Sequence, residues 1–303
     1  MKRLLKKKMM MVAVRQITLG FILLSSQLIA QHTDTLATVN KKRLRSFIII
    51  SGVGYSATMI GLNQLWYKDS ERQSFQFFND CSEWKQMDKL GHFYSAYYFS
   101  YGTSKGLQWS GVSKNSSDLW GAAVGFLILL PIEIMDGFSA DYGASAGDLF
   151  ANALGAGFYL GQSRLWNEVR IHPKFSFQRT DYPPLRDDDI LGNGLASEIF
   201  KDYNGQTYWL SFDMDKFIRF PKWLNISLGY GADGMVYARD EQNEEAGYNA
   251  YRQYYLGIDF DLSQIKSKSK VVNTLLFVVN MIKLPAPAVE FSKKGTTFRF
   301  FQF

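Results

Sequence analysis

Two kinds of hydrophobic pattern divide this chain into two halves. From Asn40 to about Asn167 the apolar residues form uncharged runs of helical length, separated by short polar joints. After Pro173 they alternate with polar residues, or form short aromatic and β-branched runs between Gly, Asn and Asp, which is typical of strands. The sequence therefore predicts an α+β protein, with an apolar helical bundle followed by a C-terminal antiparallel β-rich module.

Four helices are predicted in the first half, over residues 47–67, 89–105, 118–136 and 148–164. The first is long enough to cross a membrane, for which ~20 apolar residues are needed. Its three glycines and its polar residues fit a buried core helix equally well. The uncharged runs of the other three are about 14 residues long, which is short for a span and favours a compact bundle. Pro131 is expected to kink the third helix.

The fourth predicted helix carries two rows of small residues at a spacing of four, Gly147–Ala151–Gly155 and Ala153–Gly157–Gly161. Such rows let a neighbouring helix backbone approach closely. We therefore expect this helix at the centre of the bundle, with Ser145 as its N-cap.

Strand patterns in the second half cover residues 206–212, 223–230, 254–260, 288–291 and 297–303, and apolar residues at helical spacing cover 271–282. About five to seven strands fall short of the eight in the smallest closed membrane barrel. A sheet packed on the bundle is the first expectation, and a small barrel is the second. The chain ends on Phe303, as outer-membrane β-proteins do, but Arg299 interrupts their pattern.

The predicted boundaries are a signal peptide at 1–30, a helical bundle domain at 31–170, a linker at 171–190 and a β-rich outer-envelope module at 191–303. The signal is predicted because six basic residues precede the apolar run at 17–30, which is short for a membrane span. The linker is placed where residues 180–189 hold two prolines and four aspartates. The protein is expected to be exported, to the outer membrane or the periplasmic face of the cell envelope.

The basic surplus of the sequence lies in this leader. Six of the 34 basic residues belong to it, which leaves 28 basic against 28 acidic residues. A nucleic-acid partner is therefore excluded, whereas the 16% aromatic content favours a membrane or a membrane protein as partner. Cys81 is the only cysteine, so an internal disulfide, a cysteine metal site and lipid attachment at the end of the leader are not expected.

Polar residues of the kind that carry chemistry fall on three of the predicted helices, at spacings of three and four that place each set on one helix face. The candidate site residues are Asp88, His92, Glu133, Asp136, Asp148 and Asn152. Buried carboxylates need partners, which here are one another, His92, Lys89 or a cation. A divalent metal such as zinc, manganese or iron is a candidate cofactor, held by His92, Glu133, Asp136 and Asp148. Alternatively, His92 is a general base, or the cluster is a structural network.

The segments DKLGHFYSAYY, EIMDGFSADYG and SAGDLFANALGAG resemble the YfiM-like family of predicted periplasmic lipoproteins, a family of unknown function. They are more distantly similar to VanZ-like proteins. The resemblance covers roughly residues 88–161 and implies an envelope location without a particular reaction. This sequence departs from those lipoproteins in lacking a lipidation cysteine and in adding the β-rich tail.

Two functions remain open. The first is an uncharacterised outer-membrane-associated protein, a structural or accessory component whose helices share the buried polar cluster. The second is a metal-dependent or acid–base hydrolase that acts on an envelope lipid or glycan. The sequence defines no small-molecule substrate. An open cleft beside the cluster would favour the enzyme, and a sealed cluster the structural role.

One further motif matches a catalytic pattern. Residues 143–147 have the G-x-S-x-G form of a hydrolase nucleophile elbow, which requires a strand before the serine. The preceding residues read as a loop between helices, so the capping role of Ser145 is the expected one.

Overall fold

Helices fill the first half of the described chain and strands the second. The structure is a computed structural model that describes residues 39–67 and 70–303, so the predicted signal peptide lies outside the described residues. The helices are α1 (Lys41–Trp66), α2 (Met87–Trp109), α3 (Lys114–Leu127), α4 (Leu130–Gly137), α5 (Ala146–Trp166), α6 (Leu195–Lys201), α7 (Asp240–Glu245) and α8 (Lys270–Val279). The strands are β1 (Ile171–Phe177), β2 (Gln206–Phe212), β3 (Leu224–Asp233), β4 (Tyr251–Phe260), β5 (Ala286–Ser292) and β6 (Gly295–Gln302). The α+β prediction is confirmed.

Side-chain caps define where several helices start. Four helices have an N-cap residue whose side-chain oxygen accepts a backbone N–H of the first turn. These N-cap residues are Asn40 for α1, Ser113 for α3, Ser145 for α5 and Ser269 for α8. The cap predicted at Ser145 is therefore confirmed. The helix predicted over 118–136 is instead two helices, because Pro131 lies in the first turn of α4, where its missing N–H is tolerated.

The helices α2, α3 and α5 pack together through glycines. A Cβ on Gly125 of α3 would lie 2.5 Å from the carbonyl oxygen of Ala96, and one on Gly155 of α5 would lie 2.1 Å from that of Phe93. Both oxygens belong to α2, which also contacts β1 and β2. Of the two predicted rows of small residues, the row of Gly155 faces a helix, whereas a Cβ on Gly157 would meet open space.

The six strands form one antiparallel sheet in the order β1-β2-β3-β4-β5-β6. Strand β1 occupies residues that the sequence analysis assigned to the linker at 171–190. Pro173 lies within β1 and is tolerated there because β1 is an edge strand. The outer edge of β1 is paired at one point with the segment after α8. The N–H of Phe175 donates to the carbonyl of Met281 at 3.1 Å, and that of Lys283 donates to the carbonyl of Phe175 at 2.9 Å.

The sheet buries its polar face. Lys174 and Asp259 form an ion pair of 2.6 Å with almost no exposure, and Ser211 donates to the same carboxylate. On the opposite face the side chains of Leu228, Tyr254, Leu256, Phe291, Phe298 and Phe300 are exposed. Arg299, which interrupted the outer-membrane pattern, forms an ion pair of 2.8 Å with the buried Glu290. The exposed apolar face is therefore not interrupted by this charge.

At β1 and β2 the bundle covers the apolar face of the sheet, through aromatic rings, so that this face is exposed only from β3 onwards. The ring of Tyr94 in α2 lies 6.1 Å from that of Phe175 and 6.0 Å from that of Tyr208, and the hydroxyl of Tyr98 donates to the carbonyl of Pro173 at 2.6 Å. The expected packing of sheet on bundle is thus observed, and α2 lies between the two halves.

We predict that Gly155→Ala lowers the free energy of unfolding by about 1–3 kcal/mol, because its Cβ would collide with the α2 backbone. Gly157→Ala, two residues along the same helix, is the matched control and should raise it by up to about 1 kcal/mol through helix propensity alone. Urea unfolding followed by tryptophan fluorescence measures both. Equal effects of the two substitutions would contradict the close packing at Gly155.

Candidate functional site

The helix that begins the candidate site follows a left-handed turn. Three consecutive residues without a glycine among them have positive φ angles of 47°, 51° and 65°, namely Trp84, Lys85 and Gln86. Such residues rarely adopt this conformation, so it persists only where the surroundings fix it. Here the β-rich half does so: Tyr230 of β3 donates to the Lys85 carbonyl at 2.6 Å, and Asp240 of α7 binds the Lys85 ammonium at 2.5 Å. Asp88 and His92 follow within the first turns of α2.

Lys89 holds three carboxylates together. Its ammonium lies 2.6 Å from Asp80, 2.8 Å from Asp88 and 2.7 Å from Asp148, and its side chain is 13% exposed. An ammonium has three hydrogens to donate, so each can serve one carboxylate. The three acids come from the loop before α2, from α2 and from α5. Lys89 therefore ties these segments to one another.

Ser145 links the same group to the start of α5. Its hydroxyl accepts the N–H of Asp148 at 3.1 Å and donates to Asp80 at 2.6 Å, while its own N–H donates to Glu133 at 3.1 Å. These contacts account for the serine as a helix cap. The G-x-S-x-G spacing around Ser145 therefore corresponds to a helix cap here and not to a nucleophile elbow.

His92 lies between the carboxylates of Glu133 and Asp148. Its Nδ1 is 3.1 Å from the amide oxygen of Asn152, which can only accept, so Nδ1 carries the proton in this arrangement. In the neutral ring Nε2 then has a free lone pair. Nε2 lies 3.8 Å from Asp148 Oδ1, and Nδ1 lies 3.7 Å from Glu133 Oε1. The imidazole is thus oriented with a basic nitrogen directed at Asp148.

Glu133 presents an unpaired oxygen to this histidine. Its side chain is only 4% exposed, and Oε1 has no hydrogen-bond partner among the described residues. One ligand atom each from His92, Glu133 and Asp148 lie within 4.8 Å of one another, so these three could hold a metal. Asp136, which was predicted with them, is not part of this group, and it accepts the hydroxyl of Tyr67 at 2.6 Å instead.

The acids of the cluster are crowded. Burial, together with the carboxylate of Asp148, raises the pKa of Glu133 to about 8, that of Asp136 to about 7 and that of Asp88 to about 6. Burial alone would lower the pKa of Lys89, but the surrounding carboxylates outweigh it and raise that pKa. The site therefore holds more acidic side chains than basic ones, and the crowding makes their ionisation less favourable.

The cluster borders a large groove between α1 and the bundle. The groove has a volume of 2870 Å³ and is lined by apolar side chains such as Ile60, Phe99 and Leu119. Helix α1 spans it and contacts the bundle at separate points, among them the hydrogen bond of 2.9 Å from Tyr55 to the carbonyl of Ile128. Five polar residues of the cluster line one part of the groove, namely Asp80, Asp88, His92, Asp136 and Asp148. The cluster is therefore open to an apolar cleft.

Two described segments are long and apolar enough to cross a membrane. They are Lys41–Trp66, which is not buried in the structure, and Lys114–Gly137, which is 39% buried over its most apolar stretch. The second consists of α3 and α4, and α3 packs on α2 and α5 as a core helix does. The first is α1, whose exposed apolar side chains cover the groove.

The fold and the site define a class of protein: a helical bundle with a buried carboxylate–histidine cluster, joined to a sheet with an apolar outer face. Residues 76–162 match the model of a family described as "Predicted periplasmic lipoprotein (DUF2279)". The match includes Asp80 and every predicted site residue, but covers less than a third of the chain. No curated protein and no solved structure gives a significant match. The family description is consistent with the exported, envelope location predicted from the leader.

Two residues of the site, Asp80 and Tyr67, were not predicted from the sequence. Asp80 lies in a loop with no periodic pattern, and Tyr67 lies at the end of α1, more than 60 residues before its partner Asp136. The one signal for Asp80 is that the family match begins at residue 76 and so extends the resemblance beyond Asp88.

We predict that Lys89→Met lowers the free energy of unfolding by about 3–5 kcal/mol, because three partly or fully buried carboxylates lose their shared counter-ion. Lys216→Met is the control, since Lys216 forms one ion pair, with Glu168, and both side chains are partly exposed, so it should cost about 1 kcal/mol or less. Urea unfolding of both variants tests this. A similar loss in both would refute the central role of Lys89.

Proposed function

We propose that this chain binds an envelope lipid in the groove and hydrolyses it at the His92 cluster. The observation that carries the proposal is that the cluster borders an apolar groove. An apolar lining suits acyl chains, and it does not suit a glycan, whose hydroxyls would lose their hydrogen bonds to water there. Of the two substrate classes considered for a hydrolase, lipid and glycan, the lipid fits this groove.

His92 is the residue for which we propose the role of general base. Asn152 holds Nδ1–H, so Nε2 is free to take a proton from a water molecule. The oxygen of that water attacks an ester bond of the lipid, the ester C–O bond breaks, and the proton passes to the leaving oxygen. Glu133 and Asp148 stabilise the imidazolium that forms between these two events.

A purely accessory role is the second candidate, and the contacts of Lys89 favour it. Three ion pairs between segments hold the helices in register without any ligand. They do not explain why His92 and Asp148 border the groove, nor why Glu133 has an unpaired oxygen. The acids around Lys89 thus support a structural role, and the group of His92, Glu133 and Asp148 supports catalysis.

We predict that Leu119→Gln weakens the binding of a phospholipid about tenfold, because a groove-lining leucine no longer contacts the acyl chain. Leu154→Gln is the matched control: both leucines are about half exposed on bundle helices, at 53% and 49%, but Leu154 does not line the groove. Native mass spectrometry of the purified protein with bound lipid measures the difference.

Hydrolysis is tested with the same lipids in detergent micelles, by following the release of fatty acid. His92→Gln should abolish release while lipid binding remains, because His92 contributes the base and little of the apolar lining. Binding that is equally strong in Leu119→Gln and Leu154→Gln would rule out the groove as the lipid site. Release that is unchanged in His92→Gln would rule out the general base.

The outer face of the sheet is the surface that we propose to contact the bilayer. In water a sheet buries its apolar face, whereas here the buried face carries charged and hydroxyl side chains beside the cluster of Trp209, Tyr255 and Ala288, and the exposed face is apolar and aromatic. Helix α8 adds exposed apolar side chains, including Val271 and Leu275. A lipid bilayer is the environment in which such an arrangement is favourable.

We predict that Leu228→Gln combined with Leu256→Gln weakens binding to phosphatidylethanolamine–phosphatidylglycerol vesicles about tenfold, because these cross-strand partners both face outward. The matched control is Leu185→Gln with Leu195→Gln, which are equally exposed but lie outside the strands. Flotation on a density gradient measures both. Equal flotation of the two double variants would show that the sheet face does not bind the bilayer.

A further inference from the structure

We infer that His92, Glu133 and Asp148 bind one divalent transition-metal ion of the zinc or manganese class. This inference deepens the proposed function, on whose site it rests. With the ion bound, Nε2 of His92 would be a ligand instead of the general base, and the ion would take over the activation of the attacking water and polarise the ester carbonyl.

The geometry of the three side chains is the first support. Their ligand atoms lie within 4.8 Å of one another, and Nε2 of His92 is 3.8 Å from Oδ1 of Asp148. Ligands about 2.0–2.2 Å from a tetrahedral ion lie roughly 3.4 Å apart, so a small inward movement of the side chains completes the site. Asn152 already fixes the imidazole through Nδ1, which is the usual arrangement around a metal-bound histidine.

The unpaired oxygen of Glu133 is the second and independent support. Glu133 is 3% exposed as a residue, and its Oε1 is directed towards His92 with no hydrogen-bond donor. A buried carboxylate oxygen without a partner is costly, and a cation beside it removes that cost. A helix-register network would leave this oxygen unexplained.

The charges explain why the ion binds on the His92 side of the cluster. Asp80, Asp88 and Asp148 form a second group of suitable ligand atoms, but all three pair with the ammonium of Lys89 at 2.6–2.8 Å, whereas in the His92 group only Asp148 does. Around His92 no described lysine or arginine forms an ion pair with Glu133. Imidazole as a ligand favours zinc over magnesium and calcium, which prefer oxygen alone, and the two carboxylates also suit manganese.

The experiment measures the binding of Zn²⁺ and of Mn²⁺ to the full-length purified protein after treatment with a chelator, by equilibrium dialysis with elemental analysis. We expect one equivalent, with a rise in the thermal unfolding temperature, and a Co²⁺-substituted protein whose visible spectrum reports nitrogen and oxygen ligands. Glu133→Gln should weaken binding at least 100-fold. The same substitution keeps the oxygen that accepts from Ser145, so the metal-free variant should unfold at a temperature no lower than that of the metal-free wild type.

Asp136→Asn is the matched control, since it is also an acid-to-amide change on α4, three residues away, at a position outside the ligand group. It should bind the metal within about threefold of the wild-type affinity. Absence of a bound equivalent in the wild type, or equal losses in Glu133→Gln and Asp136→Asn, would overturn the inference. Lipid binding measured with chelator present separates the two proposals: lipid that binds without metal leaves the groove proposal standing, and metal that binds without lipid leaves only the ion.

Discussion

The bundle depends on the position of one ammonium group. Lys89 neutralises acids from three segments that would otherwise repel one another, and by holding Asp148 it also sets one side of the histidine site. Asp148 therefore belongs to both halves of the cluster: one half is the group of acids around Lys89, and the other adds Glu133 and the imidazole of His92, neither of which contacts that lysine. This division allows one compact cluster to stabilise the fold and to present reactive groups to the groove.

Much of this arrangement follows from local pattern. The β2 boundaries, the cap at Ser145 and the candidate site residues are all encoded in spacing, because caps and helix faces depend on residues a few positions apart. Strand β1 was missed because Pro173 opposes a strand everywhere except at an edge, and which strand lies at the edge is a property of the whole sheet. Asp80, Tyr67 and the groove depend on how distant segments pack, for which the sequence carries no periodic signal.

The face of the sheet that is buried is equally hidden from a single sequence. An alternating strand has the same period whether its polar or its apolar residues point inward, and a shift of one residue exchanges the faces. Here the face that carries Lys174 and Asp259 is the buried one, and the two charges can be buried because each compensates the other. Arg299, which looked like a break in a membrane-facing strand, is explained by the same principle through Glu290.

The left-handed turn at residues 84–86 links the conformation of the bundle to contacts from the β-rich half. Its unfavourable backbone angles are maintained by Tyr230 and Asp240, which belong to the β-rich half. Helix α2, which begins directly after the turn, belongs to the bundle. The family-like segment therefore does not set the direction of its own first helix in this chain. Contacts from the β-rich half thus fix the backbone from which α2 begins, and with it the positions of Asp88 and His92 at the edge of the groove.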